Sequence, residues 1–158
     1  MGISEIRTVS VYAFKLTDDG PRYLALLRAP GIDRLSGTWQ AVHGSVDKDE
    51  TALQAALREL HEEAGAKPKR FWQLDFVETF YVPKSDCIEF VPCFGALVDD
   101  PITICDEHEK HRWMTLEEIQ NAFVWRNQRV AVQQLHDGIA MPLINNQPLN
   151  PCSEIELD

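Results

Sequence analysis

Gly44–Ala66, GSVDKDETALQAALRELHEEAGA, is the stretch around which the rest of the chain is read. Projected at about 100° per residue, Leu53, Ala56, Leu57, Leu60 and Ala64 fall on one stripe, which predicts a helix with a buried face. Glu59, Glu62 and Glu63 lie within an arc of roughly 100° on the flank of that stripe. Three carboxylates therefore crowd one side of a helix whose other side is apolar.

Glu62 and Glu63 are neighbours, and Glu59 is one turn before Glu63, so like charges repel where helix propensity gives no reason to put them. A divalent cation would relieve that repulsion. Mg²⁺ suits such a site because it takes a few carboxylate oxygens and keeps waters and substrate phosphate oxygens in its shell. The competing reading is a solvated charged face with Arg58 paired to Glu62 at i, i+4.

The spacing of the whole stretch separates the two readings. Gly44, Glu50, Arg58-Glu59-Leu60, Glu62-Glu63, Gly65 and Ala66 match every fixed position of the Nudix box, GX5EX7REUXEEXGU with U an aliphatic or small apolar residue. The chain thus resembles a Nudix hydrolase. The resemblance implies an α/β fold, an α/β/α sandwich around a mixed β-sheet, and a loop-helix-loop that holds Mg²⁺, with Mn²⁺ as an alternative. It also implies hydrolysis of a nucleoside diphosphate linked to another group. Metal ions favour that chemistry by neutralising phosphoryl oxygens and generating hydroxide from bound water.

Working outward, 158 residues with 44% hydrophobic content are of single-domain size. The expectation is one domain over residues 1–140 followed by a tail over 141–158. A formal net charge of −10 argues against a nucleic-acid partner, since that binding rests on Lys and Arg. Cys87, Cys93, Cys105 and Cys152 form no CxxC pair and no zinc-like spacing with the histidines, so they read as reduced thiols. Glu5 and Arg7 stand where a signal segment would be apolar, and no apolar run reaches membrane-spanning length. The expected protein is soluble and cytoplasmic, with a small-molecule partner, no membrane partner and an oligomeric state left open.

Upstream of the box, Thr8–Leu16 and Tyr23–Leu27 read as a hairpin joined by Asp18-Asp19-Gly20-Pro21. Arg28, at the end of the second strand, is either a surface charge or a phosphate contact. A short strand from Thr38 enters Gly44. The resemblance assigns the carbonyl of His43 to the metal, and the His43 imidazole is either a packing group or a substrate contact. Asp47, Asp49 and Glu50 are expected in the first helical turn, favoured by the helix dipole. Glu50 reads as a loop anchor, and Gly65 should cap the helix C-terminus.

Downstream, Arg70–Val82 and Asp86–Val98 read as long strands of a hairpin. Phe76, Phe80 and Tyr81 could stack on a base, though strand core is the commoner role. In CDEHEKHRWMT, the resemblance picks Glu107 as the distal metal-binding or base glutamate, with Glu109 as runner-up. Lys110–Met114 would close the sheet. Thr115-Leu116-Glu117-Glu118 forms a capping box for a short helix. A longer helix is expected over Val124–Asp137, with Val124, Ala131 and Leu135 on its buried stripe and Gly138 ending it.

Within the family, Trp39-Gln40, Gly44-Ser45-Val46, Glu50-Thr51-Ala52, Gln54-Ala55-Ala56, Glu107-His108 and Trp125-x-Asn127 are similar to the dihydroneopterin triphosphate (dATP) pyrophosphohydrolases. That resemblance implies water attack on a nucleoside or pterin triphosphate, giving pyrophosphate and a monophosphate. Glu59, Glu62, Glu63 and Glu107 would hold metal, Arg58 would orient the carboxylates, and Glu107 would complete the metal shell or take a proton from water. Arg7, Arg28 and Arg126 are candidate phosphate contacts, and Asn127 a candidate base contact. A non-catalytic nucleotide-binding module, and a hydrolase of a dinucleoside polyphosphate or nucleotide sugar, are the alternatives.

Overall fold

Strand β1, Thr8–Thr17, sends alternate side chains to opposite faces of a sheet and is buried on both. Val9, Val11 and Ala13 enter one apolar cluster, while Tyr12 and Phe14 enter another. The structure, a computed structural model, describes residues 5–149 and 153–158. Cys152 lies outside the described residues.

β1 is the hub of the sheet. It pairs antiparallel with β2, Gly20–Arg28, and with β4, Val42–Ser45, and parallel with β6, Cys87–Leu97. β3, Trp39–Gln40, and β7, His108–Met114, both pair with β2. β5, Arg70–Val82, forms the long hairpin with β6, interrupted by a register shift between Gln73 and Val77. β8, Glu154–Ile155, extends the sheet beyond β5. The sheet is therefore mixed, with one parallel pairing among antiparallel ones.

Helix α1, Ala52–Ala64, covers one face and buries Ala55, Ala56, Leu60 and Ala64 against Val9, Val11, Leu26 and Val42. The other face is covered by α2, Leu116–Ala122, and α3, Arg126–Leu135, through Ile119, Phe123, Ala131, Val132 and Leu135. Two helical layers enclose one sheet, which is the expected α/β/α sandwich.

The helix ends obey local chemistry. Thr51 caps α1 through a capping box with Gln54, and Gly65 closes it at φ 62°, a left-handed conformation that suits glycine. Thr115 and Glu118 form the second capping box, as expected.

Four local expectations are corrected. Asp47, Asp49 and Glu50 are not in the first turn of α1, because Thr51 takes the cap and leaves them in the loop before it. Val124 precedes α3 and is 52% exposed, and the helix does not end at Gly138. A π-helical turn, His136–Ala140, carries it into α4, Met141–Ile144, and the wider turn admits Gly138 without ending the helix. The segment read as a surface-hugging or loose tail carries α4 and β8. Arg70 holds β8 through two hydrogen bonds to Glu154, both 2.7 Å. Finally, Phe80 and Tyr81 do not enter the core, being 41% and 54% exposed near the end of β5.

Candidate active site

β4 runs beneath the C-terminal half of α1, and its glycine lets the helix come close. A Cβ at Gly44 would overlap the carboxylate of Glu59. One turn on, Glu63 is only 5% exposed, and its Oε2 accepts a long hydrogen bond from the backbone N–H of His43 at 3.4 Å. Burial first, and then the neighbouring Glu59 charge, push the Glu63 carboxyl up to about 8. Burial also raises Glu59, although Arg58 opposes it.

Arg58 is the latch of the loop and helix. Its Nε and Nη2 donate to Glu50 at 2.9 and 3.0 Å, its Nη1 to Glu59 at 2.8 Å and Glu62 at 3.2 Å, and its Nη2 also to the Ser45 carbonyl at 2.8 Å. Glu50 additionally accepts from the Asp47 N–H at 2.9 Å, so its reading as a loop anchor matches its contacts. Hydrogen bonds from Arg58 and from the Asp47 backbone hold the Glu50 carboxyl below its ordinary range.

These groups open onto a cavity of about 870 Å³. Glu59, Glu63 and Glu107 form its acidic side, with Arg28 and Arg34 nearby and Trp125, Arg126, Asn127 and Gln128 on the wall supplied by α3. Glu78, Phe80, Tyr81, Val82 and Pro83 complete the wall from the β5 hairpin. Arg28 lies where the β2–β7 register shifts, and donates to Asp33 at 2.8 to 3.2 Å while its Nη1 is 3.6 Å from Glu107. Asn127 Nδ2 donates to the Thr79 carbonyl at 3.4 Å, and Gln128 accepts from the Ala41 N–H at 3.2 Å. Those two contacts dock the start of α3 beside β5 and beside the strand preceding the glycine.

The structure thus brings together Glu59, Glu63, Glu107, Arg28, His43, Arg126 and Asn127. It does not bring Arg7 or Glu62 to the cavity lining: Arg7 is exposed beside Glu5 at 3.7 Å, and Glu62 is exposed and held by Arg58. Arg58 is not among the lining residues. His43 Nδ1 is 2.9 Å from Ser10 Oγ, and burial lowers the pKa of the ring below its ordinary value.

Lining residues that escaped the sequence reading include Thr8, Asp33, Arg34, Glu78 and Gln128. Glu78 had a signal, because an acid two residues before Phe80 shares that residue's side of a strand otherwise rich in apolar groups. Arg34 had none, since it belongs to an irregular loop.

Among the described residues, no three His, Cys, Asp or Glu side chains converge tightly enough to form a ready-made ion cage. The donor set nevertheless fits a hard divalent ion that completes its shell with water and phosphate. The Glu59 charge raises the proton affinity of Glu63, and Thr8 Oγ1, opposite Ser45 in the β1–β4 pair, is buried with no hydrogen-bond partner among the described residues. Both observations describe a site whose charge and hydrogen bonding are incomplete in the protein alone.

Comparison with known proteins agrees with this geometry. A family profile described as the NUDIX domain matches residues 6–135. The chain is 27% identical over 129 residues to the mouse bis(5'-nucleosyl)-tetraphosphatase (asymmetrical), covering 77% of this chain and 83% of that protein. By fold it is similar to a Listeria monocytogenes protein described as a NUDIX hydrolase, with TM-score 0.74, 21% identity and coverage of 92% and 99% of the two chains. It is also similar to a C. elegans Ap4A hydrolase in a binary complex, with TM-score 0.69, 19% identity and coverage of 87% and 99%. The likeness that the mouse protein carries is to tetraphosphatases rather than specifically to dihydroneopterin triphosphate pyrophosphohydrolases. With Gly44, Glu59 and Glu63 of the box lining one cavity and the profile spanning most of its length, this chain belongs to the NUDIX family and is a Nudix hydrolase.

Proposed function

We propose that this Nudix hydrolase cleaves a phosphoric anhydride of a nucleoside polyphosphate, with a divalent cation, and releases a nucleoside monophosphate. The observation that carries the reading is one cavity whose acidic side, Glu59, Glu63 and Glu107, faces a wall of Arg126, Phe80, Tyr81 and Trp125. The acidic groups suit a metal-bound polyphosphate, and the aromatic rings of the same cavity suit a base.

Bound Mg²⁺ or Mn²⁺ would supply neutralisation of phosphoryl oxygens and an acidified water. Glu59 and Glu63 would hold it, with the His43 carbonyl and Glu107 as further oxygen donors. Arg58 fixes Glu59 by a charge-assisted hydrogen bond and so presents the carboxylate in one orientation. Glu107, 57% exposed and facing Arg28, can instead accept the proton of the attacking water. Arg28 is held by Asp33 and would exchange part of that pairing for a phosphate. Arg126 stands at the first turn of α3, where backbone N–H groups add to its positive potential.

Two substrate classes share this chemistry. A nucleoside or pterin triphosphate would give the monophosphate and pyrophosphate; it is favoured by the Trp125 and Asn127 pair on the cavity wall. A dinucleoside polyphosphate is favoured by the 27% identity to the mouse tetraphosphatase. We place the activity in the cytoplasm, where the free thiols of Cys87, Cys93 and Cys105 would stay reduced. The test is incubation of the protein and Mg²⁺ with dATP, dGTP, dihydroneopterin triphosphate and a dinucleoside tetraphosphate, with products resolved by phosphorus NMR. Monophosphate plus pyrophosphate supports the first class, and monophosphate plus nucleoside triphosphate the second. Absence of monophosphate from every substrate overturns the proposal.

A further inference from the structure

Glu78 is a buried acid that the anhydride chemistry does not use. It is 6% exposed, lies on β5 two residues before Phe80, and has no ion-pair partner within 4.0 Å among the described residues. A buried carboxylate without a cation is costly, so its contacts must explain its presence. Tyr12 donates its hydroxyl to Glu78 Oε1 at 2.5 Å, and the Cys93 thiol approaches the same oxygen at 3.6 Å. Burial keeps both donors protonated, Tyr12 well above its usual range and Cys93 likewise. Oε1 is thereby fixed from within the sheet. Oε2 has no hydrogen-bond partner among the described residues, and the residue lines the cavity.

The surroundings define what would meet that oxygen. Phe80 and Tyr81 follow on the same strand, Trp125 stands at the start of α3, and the Asn127–Thr79 hydrogen bond ties α3 to β5 between them. Aromatic side chains and a carboxylate acceptor therefore line the same cavity. We infer that Glu78 is a specificity-determining residue that accepts N–H donors from the edge of the base, and that it selects rings with a 2-amino-4-oxo edge, as in guanine or a pterin. This rests on the hydrolase reading above and names its substrate class. A carboxylate offers only acceptors, and that edge offers a ring N–H beside an exocyclic amino group. Adenine presents an acceptor ring nitrogen there, and hypoxanthine lacks the amino group.

The experiment compares kcat/KM for dGTP, dITP, dATP and dihydroneopterin triphosphate with Mg²⁺, in the unmodified protein and in Glu78→Gln. The expected result is a preference for dGTP over dITP of about tenfold or more, the size of one hydrogen bond to a charged group. Glu78→Gln, nearly isosteric and able to keep the Tyr12 contact, should bring that ratio within about threefold by lowering dGTP turnover more than dITP turnover, since hypoxanthine offers only the ring N–H. Dihydroneopterin triphosphate against dGTP separates the pterin from the purine source. If Glu78→Gln does not fold, Tyr12→Phe, which frees the carboxylate to swing, should lower the same ratio with little change in kcat for dITP. Equal use of dGTP and dITP by the unmodified protein, or an unchanged ratio in the folded variant, overturns the inference. If no triphosphate is hydrolysed, the triphosphate class fails separately, and calorimetric binding of dGMP against dIMP decides the role of Glu78: tighter dGMP binding upholds it and equal binding overturns it.

Discussion

Three glutamates of the box look alike in the sequence and differ in the fold. Glu62 faces solvent, Glu59 is wedged against Gly44, and Glu63 is buried beneath β4. The helical projection placed all three on one flank because it carries no information about the strand that closes over the last of them. Burial has a thermodynamic signature. The Glu63 carboxyl rises from 4.5 to about 8, so in metal-free protein the folded state keeps a proton that the unfolded chain releases. Its contribution is complete below pH 4.5 and is lost as pH rises through about 8. In chelator, stability should therefore fall from about pH 4.5 to about pH 8, by up to roughly 3 to 5 kcal/mol, and Glu63→Gln should flatten that dependence. A wild-type midpoint that rises over this range contradicts the prediction. Gly44→Ala places a methyl group on the Glu59 carboxylate; we expect a loss of about 1–3 kcal/mol by overpacking, and at least a tenfold lower turnover with helical circular dichroism retained.

At the scale of elements, periodicity and caps carried most of the reading. The strand over Arg70–Val82 and the two helices were legible because β-branched and aromatic runs, the Thr115 cap and Gly65 all act locally, whereas the Thr51 cap went unread. The extent of the last helix was not, since a π-helical turn depends on how α3 and α4 pack and not on Gly138 itself. Exposure of Phe80 and Tyr81 was not legible either, because β5 outruns the helices that cover its other end. Arg58 makes a prediction at this scale. Its planar fork spans Glu50, Glu59, Glu62 and the Ser45 carbonyl, contacts that a lysine ammonium on a flexible stem cannot hold together. Arg58→Lys should keep the charge, cost roughly 1–2 kcal/mol in urea denaturation by losing hydrogen bonds, and lower kcat more than it raises KM. A variant with unchanged kcat would show that the latch is structural alone.

For the molecule as a whole, the acidic balance acts through solvent and the sheet acts through its edges. β8 covers the outer edge of β5 with a short pairing, Phe71 with Ile155 and Trp72 with Glu154. Deleting residues 153–158 should bare that edge, and an open strand recruits another. Size-exclusion chromatography with light scattering should then show concentration-dependent association, while deletion variants that stay monodisperse would refute the protective role. The mixed α/β class and the position of the box helix were legible from the sequence; the order of strands was not, because pairing between distant segments leaves no local trace. One such pairing sets the tempo of assembly. β1 lies parallel to β6, with Ser10 beside Cys93, so the first strand of the sheet waits for a partner far along the chain. During synthesis the nascent N-terminal hairpin would emerge from the ribosome long before its neighbour, and distant contacts of this kind slow folding. Chaperone demand should consequently be greatest before β6 emerges, and a ribosome-bound chain stalled there would remain open to protease.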